Sequence, residues 1–507
     1  MTVVAEEEKP LQQVAVEKLE LPARDLTTEL YELGGVHESF TLDRYNATLK
    51  DRISKKGTTF RNIAVASALT ATLFSGGPSV VSTLDTAINL LKLTWLVPMP
   101  QYLINLLAYR SVLTKDLLID PEEIRSRKDE LEGKKVIYQL VTRGHNVKSL
   151  EESLNSVIYW NQQLKEKSGL DLPHEAWILT EEDAFLEHKK TYDRLKREGA
   201  KVFVVPPGYS TEKQSKFKSR ALHYAVEKRR ELGLDNDNVW IYHQDEETMV
   251  GEDTVLGISD FILNSKDSGN LNGCGLILYP LNFRNKPTNA QEIVRTADDY
   301  RLLLPIKYSG SASFGYHGSH FLTRADVEDG IGWDFGDTLA EDYLFHLKLL
   351  ERRGNVFGVM KGFGYEKAAL SIRDQLKQRR RWILGARELL KQDDISLKHK
   401  LSSLYGVISW HFALPGIVAV GASLVHPTDN ILPFTTALTG AVWYSMYKLY
   451  REGYDLHREY IKNISNEKVG KLRLAANCIA GSLIETVAPW YTLITKPKGF
   501  EVIKKDL

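Results

Sequence analysis

Short apolar runs alternate with longer amphipathic stretches between residues 134 and 240. Runs rich in β-branched and aromatic residues predict four strands, at 135–142, 176–180, 201–205 and 239–243. Segments with helical periodicity separate these runs. Strands that alternate with helices usually pair in parallel, so the pattern predicts an α/β fold with a mostly parallel, Rossmann-like sheet.

Longer apolar segments flank this region. Residues 404–425 contain no Lys, Arg, Asp or Glu and can span about 30 Å of hydrocarbon. Residues 431–447 follow after a short turn, so the two segments predict a transmembrane hairpin. Less regular apolar stretches lie before residue 110 and at 474–494, where a bend near Pro489 would give a re-entrant segment. The alternative is that these stretches are buried helices of a large soluble protein.

Basic residues are unevenly distributed among the loops. Residues 76–82 and 426–430 have no Lys or Arg, whereas 110–135, 391–400 and 448–473 have many. The positive-inside rule therefore predicts an integral membrane protein with a cytosolic catalytic domain, in the plasma membrane of a prokaryote or in the ER or Golgi of a eukaryote. The predicted regions are a polar, partly disordered leader (1–57), N-terminal transmembrane helices (58–110), a catalytic domain (130–370), an amphipathic interfacial helix (371–400), a transmembrane hairpin (401–449), and a cytosolic loop with a further membrane or re-entrant segment and a basic tail (450–507).

Charge and cysteine content argue against a nucleic-acid-binding protein and against a protein held together by disulfides or structural zinc. The chain of 507 residues has 66 basic and 66 acidic side chains, so no basic field indicates a nucleic-acid partner. Cys274 and Cys478 are far apart in sequence, which fits neither a disulfide framework nor a structural zinc site.

Polar side chains follow the predicted strands where each one ends. Thr142 ends the first strand and Arg143 follows it, Glu181 follows the second strand, and Asp245 lies just past the fourth. Ligands of parallel sheets bind beyond the carboxyl ends of the strands, so these residues are expected at one edge. Lys218, on the helix before the fourth strand, is a candidate for a phosphate or ribose; the alternative is an exposed, solvated charge.

The acidic cluster at residues 245–247 is a candidate cation site. Asp245 and Glu247 are spaced i and i+2 just past a strand, so both can point towards one ion. A divalent cation held by one or two carboxylates can neutralise a diphosphate leaving group. The alternative is an acidic surface turn.

The acidic pair Glu341 and Asp342 precedes a helical run. Thr338 and Glu341 have the spacing of a capping box, which explains Glu341 structurally. Asp342 is not needed for that cap and is the candidate general base that accepts the proton of an acceptor hydroxyl.

A third motif lies on a predicted helix that begins near residue 371. Gln378, Arg381 and Trp382 share one face at spacings i, i+3 and i+4. The indole ring offers a stacking surface for a sugar, and the polar groups can bind hydroxyls or diphosphate oxygens. The alternative is that the helix lies on anionic lipid headgroups through its basic side chains, Lys377, Arg379 and Arg380.

The order of these motifs resembles a known family. The acids at 245–247, the pair at 341–342 and Gln-x-x-Arg-Trp at 378–382 resemble the membrane-integrated family 2 glycosyltransferases of the GT-A fold, which include cellulose, chitin and hyaluronan synthases. Residues 240–248 (Trp-Ile-Tyr-His-Gln-Asp-Glu-Glu-Thr), 219–222 (Ser-Arg-Ala-Leu) and 340–342 (Ala-Glu-Asp) are similar to the egghead-type β-1,4-mannosyltransferases. The resemblance covers residues 134–400 well and the flanks loosely.

This resemblance implies an inverting transfer and a role for each motif residue. Glu181 stands where Asp is common, and Glu247 replaces the second Asp of the usual Asp-x-Asp motif. The implied roles are Asp342 as base; Asp245 and Glu247 at Mg²⁺ or Mn²⁺; Thr142, Arg143, Glu181, Lys218, Asp245 and Arg381 at the donor; and Trp382, Gln378, Ser319 and His317 at the acceptor.

The leading functional hypothesis is therefore a membrane-bound inverting glycosyltransferase. It moves a hexose to a lipid or glycolipid acceptor, forms a β-linkage and contacts membrane lipids, with GDP-mannose favoured over a UDP-sugar as donor. The alternatives are a processive polysaccharide synthase that uses a UDP-sugar and a non-catalytic membrane scaffold.

Overall fold

The computed structural model describes residues 36–55, 83–284, 286–426, 433–465 and 470–495, together with Ile503 and Lys505. Most of the predicted leader at 1–57 and the first part of the predicted membrane region at 58–110 lie outside the described residues. So does the turn predicted between residues 425 and 431, at 427–432.

A seven-stranded sheet forms the centre of the protein. Four parallel strands, in the order β3-β2-β1-β4, form one half, and β6 pairs antiparallel with β4 and β5, while β7 is parallel to β5. The predicted α/β class with a mostly parallel sheet is confirmed. The strands are β1 (Lys135–Thr142), β2 (His174–Glu181), β3 (Lys201–Val205), β4 (Val239–Asp245), β5 (Asn272–Leu281), β6 (Phe321–Arg324) and β7 (Phe357–Lys367).

The register of the parallel strands brings their carboxyl ends together. Thr142 pairs with Thr180, and Val141 pairs with Asp245. The polar residues that follow β1, β2 and β4 therefore lie along one edge of the sheet, as the sequence predicts.

Helices cover both faces of the sheet and extend away from one side of it. Three 3₁₀ turns, at Thr94–Leu96, Lys115–Leu117 and Lys128–Leu131, connect the early elements. The helices are α1 (Leu42–Lys55), α2 (Thr83–Leu93), α3 (Met99–Val112), α4 (Pro121–Ser126), α5 (Val147–Ser168), α6 (Glu182–Glu187), α7 (Lys189–Arg197), α8 (Phe217–Glu231), α9 (Glu252–Ser268), α10 (Pro287–Asp298), α11 (Tyr300–Ser309), α12 (Ala325–Ile331), α13 (Glu341–Arg353), α14 (Ile372–Leu389), α15 (Leu397–Val425), α16 (Pro433–Ser465) and α17 (Lys471–Ile494).

The helices that carry two of the motifs begin differently. Ser371 caps α14, since its hydroxyl accepts a hydrogen bond from the backbone N–H of Asp374 at 3.1 Å. The capping box expected at Thr338 is wrong: α13 begins at Glu341, and the Thr338 hydroxyl donates instead to Glu388. Glu341 is therefore the first residue of the helix and is not needed for a cap.

The apolar helices pack beside the catalytic sheet. Within α15, the segment Leu397–Ser423 is long and apolar enough to cross a membrane, and it alone meets that criterion among the described residues. Helix α17 runs unbroken through Pro489, so the chain does not reverse there as a re-entrant hairpin would. It packs against α10, α14 and α15, which joins the end of the chain to the catalytic region.

A buried ion pair packs against β4. Arg229 of α8 and Glu328 of α12 have 1% and 0% of their side chains exposed, and the guanidinium Nη2 lies 2.9 Å from the carboxylate Oε1. His243 of β4 lies 3.2 Å from the other carboxylate oxygen, and the Trp333 indole N–H donates to Oε1 at 2.6 Å. Both oxygens of Glu328 therefore have partners, as a buried charge requires.

Gly257 allows α9 to lie directly on β7. A Cβ at this position would overlap the carbonyl oxygen of Lys361. Gly257→Ala is expected to lower the free energy of unfolding by about 3 kcal/mol, because backbone must move to relieve the overlap. Chemical denaturation in detergent would measure this change. Gly406→Ala is the matched control: it lies inside α15 with no atom near its Cβ position, and alanine favours a helix, so no loss of stability is expected.

Candidate active site

A cavity of about 620 Å³ opens at the carboxyl ends of the parallel strands. It continues away from the sheet between α3, α15 and α16, where Tyr102, Trp410, Ala413 and Met446 line it. The sequence-predicted site residues all lie in its wall: Thr142, Arg143, Glu181, Lys218, Asp245, Glu247, His317, Ser319, Asp342, Gln378, Arg381 and Trp382.

Lys218 links two of the motifs. Its Nζ donates to Asp245 Oδ1 at 2.5 Å and to the carbonyl of Gly318 at 2.8 Å. Burial raises the pKa of Asp245, but the Lys218 ammonium outweighs burial and holds that pKa below its ordinary value. Asp245 is therefore a carboxylate at neutral pH, with a positive charge already beside it.

Glu246 points away from the candidate cation site. Its carboxylate accepts hydrogen bonds from the Thr142 hydroxyl and, at 2.5 Å, from the Asn146 amide. Burial, followed by the neighbouring Glu247 carboxylate, raises the pKa of Glu246 to about 7. Glu246 therefore fixes the loop after β1 against the end of β4.

Asp245 and Glu247 have the donor chemistry of a Mg²⁺ or Mn²⁺ site, since such ions often take two carboxylates and complete their shell with phosphate oxygens and water. Both carboxylates already have cationic partners: Asp245 has Lys218, and Glu247 Oε1 lies 2.6 Å from Lys505 Nζ. In the part of the chain that the structure describes, no three His, Cys, Asp or Glu side chains form a ready-made metal site. The residues fit a cation that also uses ligands from a bound diphosphate.

Asp342 faces the cavity from the first turn of α13. Its Oδ1 accepts the backbone N–H of Tyr343 at 2.8 Å, and its Oδ2 lies so close to Gly318 that a Cβ there would overlap it. The adjacent Glu341 also lines the cavity, and burial, followed by the Asp342 charge, raises the pKa of Glu341 to about 7. Two neighbouring carboxyl groups are therefore candidates for the base, and Asp342 is the one beside Gly318.

Trp382 is held by two guanidinium groups. The Cζ atoms of Arg379 and Arg295 lie 4.3 and 4.6 Å from the centre of the indole ring. Arg379 also forms ion pairs with Glu292 of α10 and Glu485 of α17, at 3.0 and 2.9 Å. The pose of the indole therefore depends on three helices.

The alternative of a lipid-facing basic surface on α14 is wrong for two of its three residues. Arg379 and Arg380 are 1% and 4% exposed, because α17 and α10 cover them. Arg380 Nη1 donates to the Thr495 hydroxyl at 2.8 Å. The basic face of this helix is turned towards protein, which excludes contact between these two side chains and headgroups.

The remaining predicted residues have protein partners at the cavity wall. His317 Nε2 lies 3.3 Å from Asp299 Oδ2, and the Ser319 hydroxyl donates to Glu366. Glu181 forms an ion pair with Arg220, which also binds the carbonyl of Tyr209 at 3.1 Å. The guanidinium of Arg143 lies over the ring of Phe217, with 5.9 Å between Cζ and the ring centre.

Glu366, Arg295 and Lys505 line the cavity but were not predicted from the sequence. Glu366 follows the rule for strand ends, since it stands one residue before the end of β7, but β7 was not among the strands predicted. Arg295 and Lys505 carry no local signal. Arg295 reaches the cavity through the packing of α10. Lys505 reaches it through a contact with Lys367, which is 138 residues away in sequence.

The chain is similar in sequence to known glycosyltransferases. Residues 240–449 match the profile of Glycosyl transferase family group 2. The chain is 32% identical over 319 residues to β-1,4-mannosyltransferase egh of Drosophila melanogaster, across 60% of this chain and 66% of that protein. It is 27% identical over 316 residues to β-1,4-mannosyltransferase bre-3 of Caenorhabditis elegans, across 60% of this chain and 67% of that protein.

A solved structure has a similar outline. Mannosyltransferase PcManGT from Pyrobaculum calidifontis, in complex with GDP-Man and Mn²⁺, superposes with a TM-score of 0.43 and 13% sequence identity, over 76% of this chain and all of that one.

The family match extends from β4 into α16 and includes the acidic cluster, the acidic pair and the Gln-x-x-Arg-Trp motif. The chain spans about two thirds of the length of the curated relatives. The motifs, the sheet and the family match lead to one conclusion. Residues 240–449 of this chain form a family 2 glycosyltransferase domain.

Proposed function

We propose that this protein is a membrane-bound inverting mannosyltransferase that moves mannose from GDP-mannose to a glycolipid and forms a β-linkage. One observation carries the proposal: Asp245, Asp342 and Trp382 line the same cavity, which continues between apolar helices. The names of the two curated relatives support mannose as the transferred sugar.

The reaction needs one base and one leaving group. Asp342 accepts the proton of an acceptor hydroxyl, whose oxygen forms a bond to C1 of the sugar while the bond from C1 to the diphosphate oxygen breaks. The electron pair of that bond leaves with the nucleoside diphosphate. Lys218 and Arg381, which both line the cavity, stabilise the negative charge that develops there.

Asp245 and Glu247 would hold a divalent cation beside the diphosphate. When bound, such an ion neutralises phosphate oxygens and so makes the diphosphate a better leaving group. The ammonium of Lys218, 2.5 Å from Asp245, orients this carboxylate.

The apolar end of the cavity suits an acceptor with a lipid tail. Trp382 stacks against the sugar of the acceptor, and Gln378 hydrogen-bonds its hydroxyls from the same face of α14. The tail then lies between α3, α15 and α16, near the helix that can cross a membrane. This arrangement supports a catalytic domain on the cytosolic membrane face, where nucleotide sugars are present.

Transfer to a defined acceptor tests the proposal. The purified protein in detergent receives radiolabelled GDP-mannose or UDP-sugars, a glycosylated lipid acceptor and Mn²⁺, and products are separated by size. We expect one labelled mannose per lipid, with GDP-mannose as the preferred donor. A ladder of long products would instead identify a processive synthase, and no transfer from any donor would identify a scaffold.

A further inference from the structure

The chain near its C-terminal end enters the candidate active site. The backbone N–H of Lys505 donates to Asn146 Oδ1 at 3.1 Å, and the Asn146 amide donates to the carbonyl of Ile503 at 3.4 Å. Both Ile503 and Lys505 line the cavity. Asn146 belongs to the loop after β1, whose Thr142 and Arg143 are candidate nucleotide contacts. Backbone hydrogen bonds therefore fix this segment at the nucleotide end of the cavity.

The side chain of Lys505 reaches the candidate cation site. Its Nζ donates to Glu247 at 2.6 Å and to the carbonyl of Lys367 at 2.9 Å, and only 6% of the side chain is exposed. Burial lowers the pKa of this ammonium, but Glu247 and then Glu366 raise the pKa above its ordinary value. Lys505 is therefore a buried, charged group with two hydrogen-bond partners.

This ammonium occupies the position that a cation ligated by Glu247 would need. Oε1 of Glu247 accepts a hydrogen bond from Lys505, so a metal ion coordinated by this carboxylate would lie beside the ammonium. The two positive charges would repel each other across a site with little solvent. The present pose of Lys505 therefore opposes the binding of a metal ion by Glu247.

We propose that Lys505 is an internal competitor for the divalent cation: its ammonium neutralises Glu247 until a metal ion displaces that ammonium from the carboxylate. The proposal rests on the assignment of Glu247 as a metal ligand in the proposed function. The expected consequence is that the protein binds its metal more weakly than the two carboxylates alone would allow. The strength of the Lys505–Glu247 contact then sets the metal concentration at which the site fills.

Direct metal binding tests this inference without any transfer reaction. The full chain is titrated with Mn²⁺ alone by calorimetry, with no nucleotide present. Lys505→Gln is expected to bind Mn²⁺ at least about tenfold more tightly than the wild type, because each 1.4 kcal/mol of removed competition gives a factor of ten. Lys505→Arg keeps the charge and is expected to bind like the wild type. Lys189→Gln, at an exposed lysine of α7, is the matched control and should change nothing.

A double variant identifies the group through which Lys505 acts. Adding Glu247→Gln to Lys505→Gln is expected to remove the gain in affinity, since the freed carboxylate is then absent. Equal or weaker Mn²⁺ binding by Lys505→Gln would overturn the proposal and would identify Lys505 as a permanent cation of the site.

The wild-type protein provides a second measurement that does not depend on the folding of a variant. Amine acetylation followed by mass spectrometry reports the access of reagent to Lys505. Saturating Mn²⁺ is expected to raise its labelling several-fold and to leave Lys189 unchanged. Unchanged labelling of Lys505 at saturating Mn²⁺ would contradict displacement. Both measurements stay informative if the donor or acceptor differs from the one proposed, because neither uses a sugar.

Discussion

Asp342→Asn is expected to reduce mannose transfer by about 10²- to 10⁴-fold, the usual contribution of a general base. The amide keeps the shape of the side chain and its place beside Gly318 but cannot accept the proton of the attacking hydroxyl. Initial rates with saturating GDP-mannose and acceptor measure the loss. Calorimetry with GDP should show affinity close to that of the wild type, because the bond between Lys218 and Asp245 is untouched.

Glu341→Gln is the matched control for this result. Glu341 precedes Asp342 on α13, lines the same cavity and is also a carboxyl group, so the two variants compare neighbouring candidates. We expect Glu341→Gln to retain most of the activity. If Glu341→Gln is the inactive variant and Asp342→Asn remains active, the assignment of the base is wrong.

Arg229→Met is expected to destabilise the fold by about 3–5 kcal/mol, because it leaves the Glu328 carboxylate buried without its cationic partner. The pair lies against β4, whose last residue is Asp245. At most 1% of either side chain is exposed. Denaturant unfolding in detergent, followed by tryptophan fluorescence, measures the change through Trp333, which donates to the same carboxylate.

The neighbouring pair Arg230 and Asp329 provides the control. It joins the same two segments, but the Arg230 side chain is 47% exposed. Arg230→Met is expected to lower the free energy of unfolding by less than about 1 kcal/mol, because exposed ion pairs contribute little to stability. The double variant Arg229→Met with Glu328→Leu should recover most of the stability, because no buried charge is then left unpaired. A loss in the double variant equal to that in Arg229→Met would show that shape, and not charge, causes the effect.

The ion pair between Arg229 and Glu328 makes the stability of the fold depend on pH. Burial raises the pKa of Glu328, but the Arg229 guanidinium, His243 and the Trp333 indole N–H together outweigh burial and lower the pKa from 4.5 to about 2. A carboxyl group with a lowered pKa in the folded state stabilises the fold above its unfolded pKa. The stabilisation by this pair is therefore complete above about pH 5 and is lost as the pH falls towards 2.

Local patterns in the sequence were sufficient for the sheet and for much of the candidate site. The strands β1 and β3 begin and end where the predicted runs do: β1 is mostly buried and ends before Arg143, and β3 ends before Pro206 and Pro207. The rule that ligands bind beyond strand ends then brought Thr142, Glu181 and Asp245 to one edge.

Contacts between distant segments were not predictable in this way. The basic run at residues 379–381 has the composition of a lipid-facing helix, and only the packing of α10 and α17 shows that Arg379 and Arg380 are buried. The capping box at Thr338 failed because Glu388 of another helix accepts the hydrogen bond from that hydroxyl. Lys505 is one of several lysines near the end of the chain, and nothing in its neighbours distinguishes it.

Under the roles proposed above, the ion pair between Arg379 and Glu485 connects the choice of acceptor to a helix outside the catalytic domain. Helix α17 contributes no candidate for the chemical step, yet its carboxylate fixes the guanidinium that lies over Trp382. Substitutions along α17 can therefore tilt the indole and diversify the range of accepted glycolipids in evolution, while the donor machinery stays constant. Exchange of this helix between relatives is accordingly a route for engineering new acceptor preferences.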